Sequence, residues 1–213
     1  MNNTRHMDIF DVSLTTATMI GLGGIGSPTA IALAKMGIGG LTIYDGDIVS
    51  EENVATQFYK LSDIGNFKCS ALASALAEYS DVPVRGSGIM VTGDTGIADQ
   101  IVISGVDSIT SRKAIWETVK QSQTKWYLDA RMAAEEFQLY SVNMKDPDWY
   151  DRLIGASTEE GIPDVPCTAK ATIFCAFIAA GHLGAAVRRI ATGIPQPRVL
   201  THDIIKNKII TLE

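Results

Sequence analysis

Cysteine and positive charge are both scarce in this sequence, and each shortage excludes a class of protein. Three cysteines occur among 213 residues, at positions 69, 167 and 175, which is too few for a disulfide framework. None belongs to a Cys-x-x-Cys pair, so a four-cysteine zinc site is excluded. The 18 lysines and arginines stand against 24 aspartates and glutamates, and this net charge of −6 argues against nucleic acid as a partner.

Long apolar runs are also few. Residues 1–6 contain no apolar signal core. The longest apolar stretch, residues 171–187, includes Gly181 and His182, and it favours a buried helix over a membrane span. With so little cysteine, these features predict a cytoplasmic protein with no membrane partner.

The glycines between residues 21 and 26 carry the strongest local signal. Residues 17–20 predict a buried strand, the glycines follow it at Gly-x-Gly-x-x-Gly spacing, and a helical pattern begins after them. Gly21 allows a tight turn, Gly23 lets the backbone approach a phosphate, and Gly26 lets strand and helix pack closely. The N–H groups at the helix start would then face an anion. A glycine-rich turn without a ligand is the alternative interpretation.

The rest of the pattern predicts an α/β fold. Apolar strands at 41–44, 101–104 and 125–129 alternate with helices that begin near residues 65 and 111, which indicates a Rossmann-like, mostly parallel sheet flanked by helices. Alternation at 136–142 and a terminal hairpin around 206–207 add antiparallel C-terminal strands. Prolines and glycines break the pattern between residues 145 and 166, which predicts an irregular functional loop there.

Two carboxylates follow predicted strands, at the edge of a parallel sheet where ligands bind. Asp45 comes directly after the second strand, where a carboxylate accepts hydrogen bonds from ribose hydroxyls, although a turn aspartate is the alternative. Asp107 follows the strand at 101–104, and a helix N-cap is its alternative role, for which Ser108 and Thr110 compete. Lys68 lies near a helix start, and without further information a solvated lysine is the simpler interpretation.

Together these residues resemble the ThiF/MoeB/HesA superfamily, the adenylation domains of ubiquitin-activating-type enzymes. The matching segments are the glycine run at 21–27, residues 37–49 with their Asp-x-Asp-x-Val pattern, and then Asn53, Gln57, Lys68, Asp107 and Arg112. This combination is far more specific than a lone Gly-x-Gly-x-x-Gly. The resemblance is strongest over residues 17–112 and implies a single ThiF-type adenylation domain across residues 1–213, with a mobile crossover loop at 143–166.

The resemblance implies an ATP-dependent adenylyltransferase that activates the C-terminal carboxylate of a small ubiquitin-like or sulfur-carrier protein with a Gly-Gly-type tail. It implies ATP and Mg²⁺ as cofactors, and a homodimer. It assigns Asp45 to the ribose, Asn53 and Lys68 to the phosphates, and Asp107 to Mg²⁺. The implied cofactor-binding set is Gly21, Gly23, Gly24, Gly26, Asp45, Asp47, Asn53, Gln57 and Lys68. The implied catalytic set is Asp107, Lys68, Cys167 and Arg5.

Cys167 falls where sulfur-transferring members of the family carry a cysteine, just after the crossover loop. There it would attack the acyl-adenylate or form a persulfide, and Lys170 beside it would lower the pKa of the thiol. A structural cysteine at a loop–helix junction is an equal alternative. Cys69 and Cys175 are expected in the core, and His182 is expected to have a packing role.

One position departs from the family pattern. The arginine that usually precedes the residue matching Gln57 is replaced by Thr56, which removes a planar cation from the γ-phosphate. Arg5, Arg112 and Arg131 are candidate replacements, although a structural salt bridge is an equal interpretation for Arg131. Without a replacement, the chain would be a slow enzyme or a non-catalytic nucleotide-binding scaffold.

A third class, an NAD(P)-dependent oxidoreductase, would also carry these glycines and an acid at the position of Asp45. It does not explain Asn53, Gln57, Lys68 or Asp107, and the chain has no separate substrate domain.

Overall fold

The computed structural model describes residues 8–158 and 172–213. Within these residues, eight strands form one sheet with the order β3-β2-β1-β4-β5-β6-β7-β8. The strands are β1 (Thr16–Ile20), β2 (Gly40–Tyr44), β3 (Val84–Ser87), β4 (Ile101–Ser104), β5 (Trp126–Ala133), β6 (Glu136–Asn143), β7 (Val199–Asp203) and β8 (Lys208–Leu212). Neighbouring strands from β3 to β5 are parallel, and those from β5 to β8 are antiparallel. The predicted fold class is confirmed.

Helices cover both faces of the sheet. They are α1 (Gly26–Lys35), α2 (Glu51–Val54), α3 (Lys68–Tyr79), α4 (Ile109–Lys120), α5 (Asp148–Ala156) and α6 (Ile173–Thr192). Helix α1 packs against α3 and α6 on one face, and α4 packs against α5 on the other. Alternate residues of the buried strands feed two hydrophobic clusters: Met19 points into the first, and Ile20 into the second.

The sheet order reverses between β1 and β4, and this switch point positions the candidate site. The chain leaves β1 towards β2 on one side, whereas β4 lies on the other. The N–H of Gly105, just after β4, donates to the carbonyl of Ile20 at the end of β1 (2.8 Å). The turns after these two strands are therefore held side by side at the carboxyl edge, where open α/β sheets bind ligands.

Helix α6 is long and apolar enough to cross a membrane by length and composition, but its small residues pack inside the protein. Its buried positions include Ala179, Leu183 and Gly184. A methyl group at Gly184 would lie 3.1 Å from the sulfur of Met36, directly after α1, so the two helices approach closely there. The apolar stretch predicted as a buried helix is therefore a core helix.

The segment predicted to be irregular contains a helix. Helix α5 occupies residues 148–156, with Tyr150 and Ile154 buried four positions apart on one face. Pro147 precedes it, and Asp148 and Asp151 lie in its first turn, where acids favour the helix dipole. Gly155 lies in the last turn of this helix, so part of the expected crossover loop is folded. Residues 159–171 lie outside the described part of the chain.

Two histidines meet between α6 and the antiparallel strands. Nε2 of His182 lies 2.9 Å from Nδ1 of His202, and the His182 ring stacks on Phe137 with centroids 5.5 Å apart. Burial lowers the pKa of His182, and the neighbouring His202 and Arg189 lower it further. The predicted packing role of His182 is confirmed.

Because the pKa of His182 is lowered on folding, the unfolded chain binds a proton at mildly acidic pH that the folded chain does not. Stability is therefore expected to fall as the pH drops below the usual histidine range. Urea unfolding between pH 7.5 and 5.5 measures this loss. His182→Gln keeps a hydrogen-bonding side chain without titrating, so its unfolding free energy should depend less on pH. An identical slope in the two proteins would contradict this explanation.

Candidate functional site

Three of the four glycines in the turn after β1 have different surroundings. Gly21 has φ +83°, and a methyl group there would lie 2.9 Å from the side chain of Val106. At Gly26 an added methyl group would lie only 1.9 Å from the carbonyl oxygen of Gly21. At Gly23 the nearest atom would be Nε2 of Gln57, 3.8 Å away. Gly21 and Gly26 thus serve turn and packing, while Gly23 leaves open space beside the backbone, as the sequence predicts.

The backbone N–H groups just before α1 are placed to meet an anion. Ile25 occupies the cap position and offers no side-chain hydrogen bond, and no acid lies in the first turn. Within the first turn, the N–H of Ser27 donates to the carbonyl of Gly23 (3.0 Å) and Pro28 has no N–H. The donors for a phosphate would therefore be the N–H groups of residues 23–26, aided by the helix dipole.

Asp45 fastens this turn to the end of β2. Its buried carboxylate accepts a hydrogen bond from the N–H of Leu22 (2.6 Å) through one oxygen and from the N–H of Asp47 (2.8 Å) through the other. Each oxygen retains a further lone pair, so a ribose hydroxyl can still donate to it. The structure thus gives Asp45 a supporting role that the sequence did not indicate.

Phe58 and Tyr59 hold the glycine turn and the start of α1 through hydrogen bonds from the other side. The N–H of Phe58 donates to Oγ of Ser27 (2.9 Å), and the hydroxyl of Tyr59 donates to the carbonyl of Leu22 (2.8 Å). Burial and the charge of Asp45 raise the pKa of Tyr59, so its hydroxyl remains protonated as the donor. Sequence reasoning missed Tyr59 and Ser27, because their partners lie 31 to 37 positions away in the chain.

The amide of Gln57 is a polar group with unused capacity. Its side-chain oxygen is buried and has no hydrogen-bond partner in the described part of the chain. A buried polar atom without a partner costs stability, so the position favours a ligand that donates to it. Its amide nitrogen is the atom nearest to a methyl group built at Gly23, which places this unused capacity beside the open backbone of the turn.

Lys68 is the first residue of α3 and is almost entirely buried. Its ammonium pairs with the carboxylate of Asp47 at 2.9 Å, with 8% of the lysine side chain exposed against 66% of the aspartate. The interpretation of Lys68 as a solvated helix lysine is therefore wrong. The carboxylate of this ion pair therefore lies at the surface, whereas the lysine side chain is enclosed by the protein.

The side-chain oxygen of Asn53 accepts from the N–H of Ser50 (3.0 Å) and caps the short helix α2. The oxygen is thus committed locally, and the NH₂ group is the part of this side chain that can donate to a phosphate.

Asp107 lies just beyond β4, in the turn that faces the glycine turn. Its carboxylate is exposed, and it forms no hydrogen bond or ion pair with the residues that the structure describes. Ser108 caps α4 instead, accepting from the N–H of Ser111 (3.0 Å), so the N-cap role considered for Asp107 is wrong. An uncommitted carboxylate at this edge has the oxygen chemistry that Mg²⁺ prefers.

The structure describes two of the three arginines that could replace the missing one, and both form ion pairs outside the candidate site. Arg112 and Arg131 both pair with the buried carboxylate of Asp129. Arg131 also stacks on Tyr140, 4.6 Å from the ring centroid. Neither guanidinium is available for a γ-phosphate, and for Arg131 the structural salt bridge is the correct interpretation. Arg5 lies outside the described residues.

The two described cysteines belong to the core, as predicted. Cys175 is fully buried, and burial together with the charge of Glu135 raises its pKa to about 11. The thiol of Cys69 lies within hydrogen-bonding distance of the carbonyls of Ile43 (3.3 Å) and Ser87 (3.0 Å), and burial raises its pKa. Neither forms thiolate readily at neutral pH. Cys167 lies outside the described residues, so its role stays a prediction.

The fold defines a Rossmann-like α/β protein with a glycine-rich turn at the point where the strand order reverses. A comparison with family models matches residues 11–213 to the ThiF family. The chain belongs to the ThiF family.

Curated relatives match about half of the chain. The ubiquitin-like modifier-activating enzyme 5 of Bombyx mori is 30% identical over 128 residues, which cover 53% of this chain and 33% of the relative. A probable molybdopterin-synthase adenylyltransferase of Porphyra purpurea is 33% identical over 102 residues, covering 45% of this chain and 27% of the relative. The aligned regions thus span about a third of each relative's length or less.

Solved structures share the fold across 95% of the chain. The crystal structure of PaaA superposes with a TM-score of 0.73 at 20% identity, covering 64% of that chain. Escherichia coli MccB with ATP superposes with a TM-score of 0.71 at 15% identity, also covering 64% of that chain. At these identities the similarity establishes the fold alone.

The different surroundings of two glycines separate folding from ligand binding. Gly26→Ala is expected to destabilise the protein by about 3 kcal/mol or more, because the methyl group meets the Gly21 carbonyl. Gly23→Ala should change stability by less than about 0.5 kcal/mol yet weaken ATP binding about tenfold, because it fills the space that a phosphate would approach. Thermal unfolding and calorimetric titration with ATP measure the two effects. Equal ATP affinity of Gly23→Ala and wild type would argue against a phosphate at this turn.

Proposed function

We propose that the chain is the adenylation domain of an ATP-dependent enzyme that activates the C-terminal carboxylate of a small ubiquitin-like or sulfur-carrier protein. One observation carries the proposal: the uncapped glycine turn, the buried ammonium of Lys68 and the uncommitted carboxylate of Asp107 lie at one edge of the sheet in a ThiF-family chain. Two relatives are named as adenylyltransferases, and this supports the same reaction class here.

The reaction needs positioning and charge neutralisation more than it needs acid–base chemistry. A carboxylate oxygen of the carrier tail attacks the α-phosphorus of ATP, the new O–P bond forms, and the bond from that phosphorus to the bridging oxygen breaks. Pyrophosphate leaves, and an acyl-adenylate remains. The backbone N–H groups of the glycine turn and the Lys68 ammonium would stabilise the developing charge on the phosphates. Asp45 would orient the ribose through the oxygens that already hold the turn.

Asp107, just after β4, has the chemistry of a Mg²⁺ ligand. Asp107 offers an exposed carboxylate without an intramolecular partner in the described residues, and Mg²⁺ is typically held by one or two carboxylates together with substrate phosphates. When bound, the ion would neutralise phosphate charge. Asp107 would hold it opposite Lys68, across the glycine turn.

A nucleotide-binding scaffold without catalytic activity is the second candidate, and Thr56 favours it. This position lacks the family arginine, and the arginines at 112 and 131 are committed to Asp129. In the catalytic proposal Arg5 supplies the missing cation, and Cys167 receives the activated acyl group or carries sulfur. We further propose a cytoplasmic location, on the composition of the sequence.

ATP–pyrophosphate exchange separates the enzyme from the scaffold. Wild-type protein with a panel of small carrier proteins that end in Gly-Gly should exchange labelled pyrophosphate into ATP. Asp107→Ala and Lys68→Ala are each expected to lower the exchange rate about 100-fold, because each removes charge stabilisation of the phosphates.

Cys167→Ser is the matched control, since exchange requires no thiol. It should retain exchange but lose any thioester or persulfide, and unchanged downstream transfer would assign Cys167 to a structural role. Near-normal exchange by Asp107→Ala would contradict its metal role. ATP binding without exchange for any carrier in the panel would favour the scaffold.

A homodimer forms part of the proposal, and one face of α6 supports it. Phe174 is 42% exposed and Phe177 is 52% exposed, and they lie three positions apart on one side of the helix. Light scattering at micromolar concentration should give a dimer. Phe177→Glu should give a monomer, because a charge is then buried at the contact. Leu61→Glu, at an exposed apolar residue outside α6, should leave the dimer intact. A monomeric wild type would refute the homodimer.

A further inference from the structure

The carboxylate of Asp129 is a buried hub that receives several donors. It lies in β5 and has no exposed surface. One oxygen accepts from Arg112, and the other accepts from Nε of Arg131 (2.9 Å) and from the hydroxyl of Tyr150 in α5 (2.8 Å). A buried carboxylate is stable when its lone pairs are filled in this way, and removing a partner is costly.

Arg112 links this hub to the turn that carries Asp107. It lies in the first turn of α4, and its side chain is 5% exposed. One terminal nitrogen contacts Asp129 and also donates to the carbonyl of Ala130 (3.2 Å), while the other donates to the carbonyl of Val106. The guanidinium therefore ties the backbone immediately before Asp107 to the middle of β5.

Arg131 also pairs with Asp129, but it makes no contact that corresponds to the hydrogen bond from Arg112 to Val106. Its guanidinium contacts the same Asp129 oxygen through two nitrogens and stacks on Tyr140, and no hydrogen bond joins its side chain to residues 105–107. The two arginines thus make comparable ion pairs with one carboxylate, and only Arg112 also holds the turn after β4.

We infer that Arg112 is a positioning residue that fixes the Val106 backbone and so aims the Asp107 carboxylate across the glycine turn, towards the metal and phosphates. This inference rests on the proposed function. The planar fork of arginine can contact a carboxylate and a carbonyl at the same time, whereas lysine carries a single ammonium on a flexible stem. Arg112→Lys therefore keeps the positive charge beside Asp129 and weakens the link to Val106.

The experiment compares Arg112→Lys with Arg131→Lys. Both substitutions reduce the contacts to Asp129, so both lower the melting temperature. In the ligand-free protein, amide hydrogen exchange of residues 105–108 should be about tenfold faster in Arg112→Lys, because the turn opens more readily, and unchanged in Arg131→Lys. In calorimetric titrations with ATP, the gain in affinity on adding Mg²⁺ should be about tenfold smaller in Arg112→Lys than in wild type or Arg131→Lys.

Several outcomes would overturn the inference. Wild-type exchange at residues 105–108 in Arg112→Lys would show that the guanidinium does not hold the turn. If wild type binds Mg²⁺ and ATP together but the two variants lose the same amount of affinity, Arg112 has only a structural role and the proposed function stands. If wild type does not bind ATP at all, the proposed function fails and this inference fails with it.

Discussion

The buried carboxylate of Asp45 is the contact on which the geometry of the site depends. It accepts the N–H of Leu22 inside the glycine turn and the N–H of Asp47 after β2, so it joins the two halves of the β-α-β unit at their functional edge. Asp47 is thereby placed to pair with Lys68, whose own N–H donates to the Asp47 carbonyl (2.9 Å). The position of the Lys68 ammonium therefore depends on a hydrogen bond made at the glycine turn.

The other side of the switch point repeats this arrangement. There the buried carboxylate is Asp129, the intermediary is Arg112, and the exposed acid whose backbone is held in place is Asp107. In both halves a buried, hydrogen-bonded carboxylate supports the backbone that carries an exposed carboxylate. Rigid placement of this kind stabilises developing charge more effectively than flexible side chains do, because no reorganisation is needed during the reaction.

The local features of this design could be predicted from the sequence, and the long-range ones could not. Local signals predicted the sheet and its functional edge, because they depend only on residues close together in the sequence. These signals are the strand and helix periods, the glycine spacing and the acids at strand ends. The hydrogen bond from Tyr59 to Leu22 joins residues 37 positions apart, and the ion pair between Arg112 and Asp129 joins residues 17 positions apart. Local patterns therefore could not show that Arg112 pairs with Asp129 and not with a phosphate. Helix α5 was missed for a related reason, since Tyr150 gains its stability from packing on Trp116 and Tyr127 in distant elements.

The charge balance of the site explains why Thr56 matters. Among the described residues, the predicted site contains three carboxylates, Asp45, Asp47 and Asp107. It contains one ammonium, that of Lys68, which is already paired with Asp47. Side chains alone therefore give a site that repels a polyanion. In the proposed complex the attraction must come from the helix N-terminus, from backbone N–H groups and from a divalent cation held by Asp107. Without the arginine expected at position 56, more of the phosphate charge must be neutralised by the metal. Nucleotide affinity should therefore depend on Mg²⁺ more steeply than in a ThiF-family protein that has an arginine there.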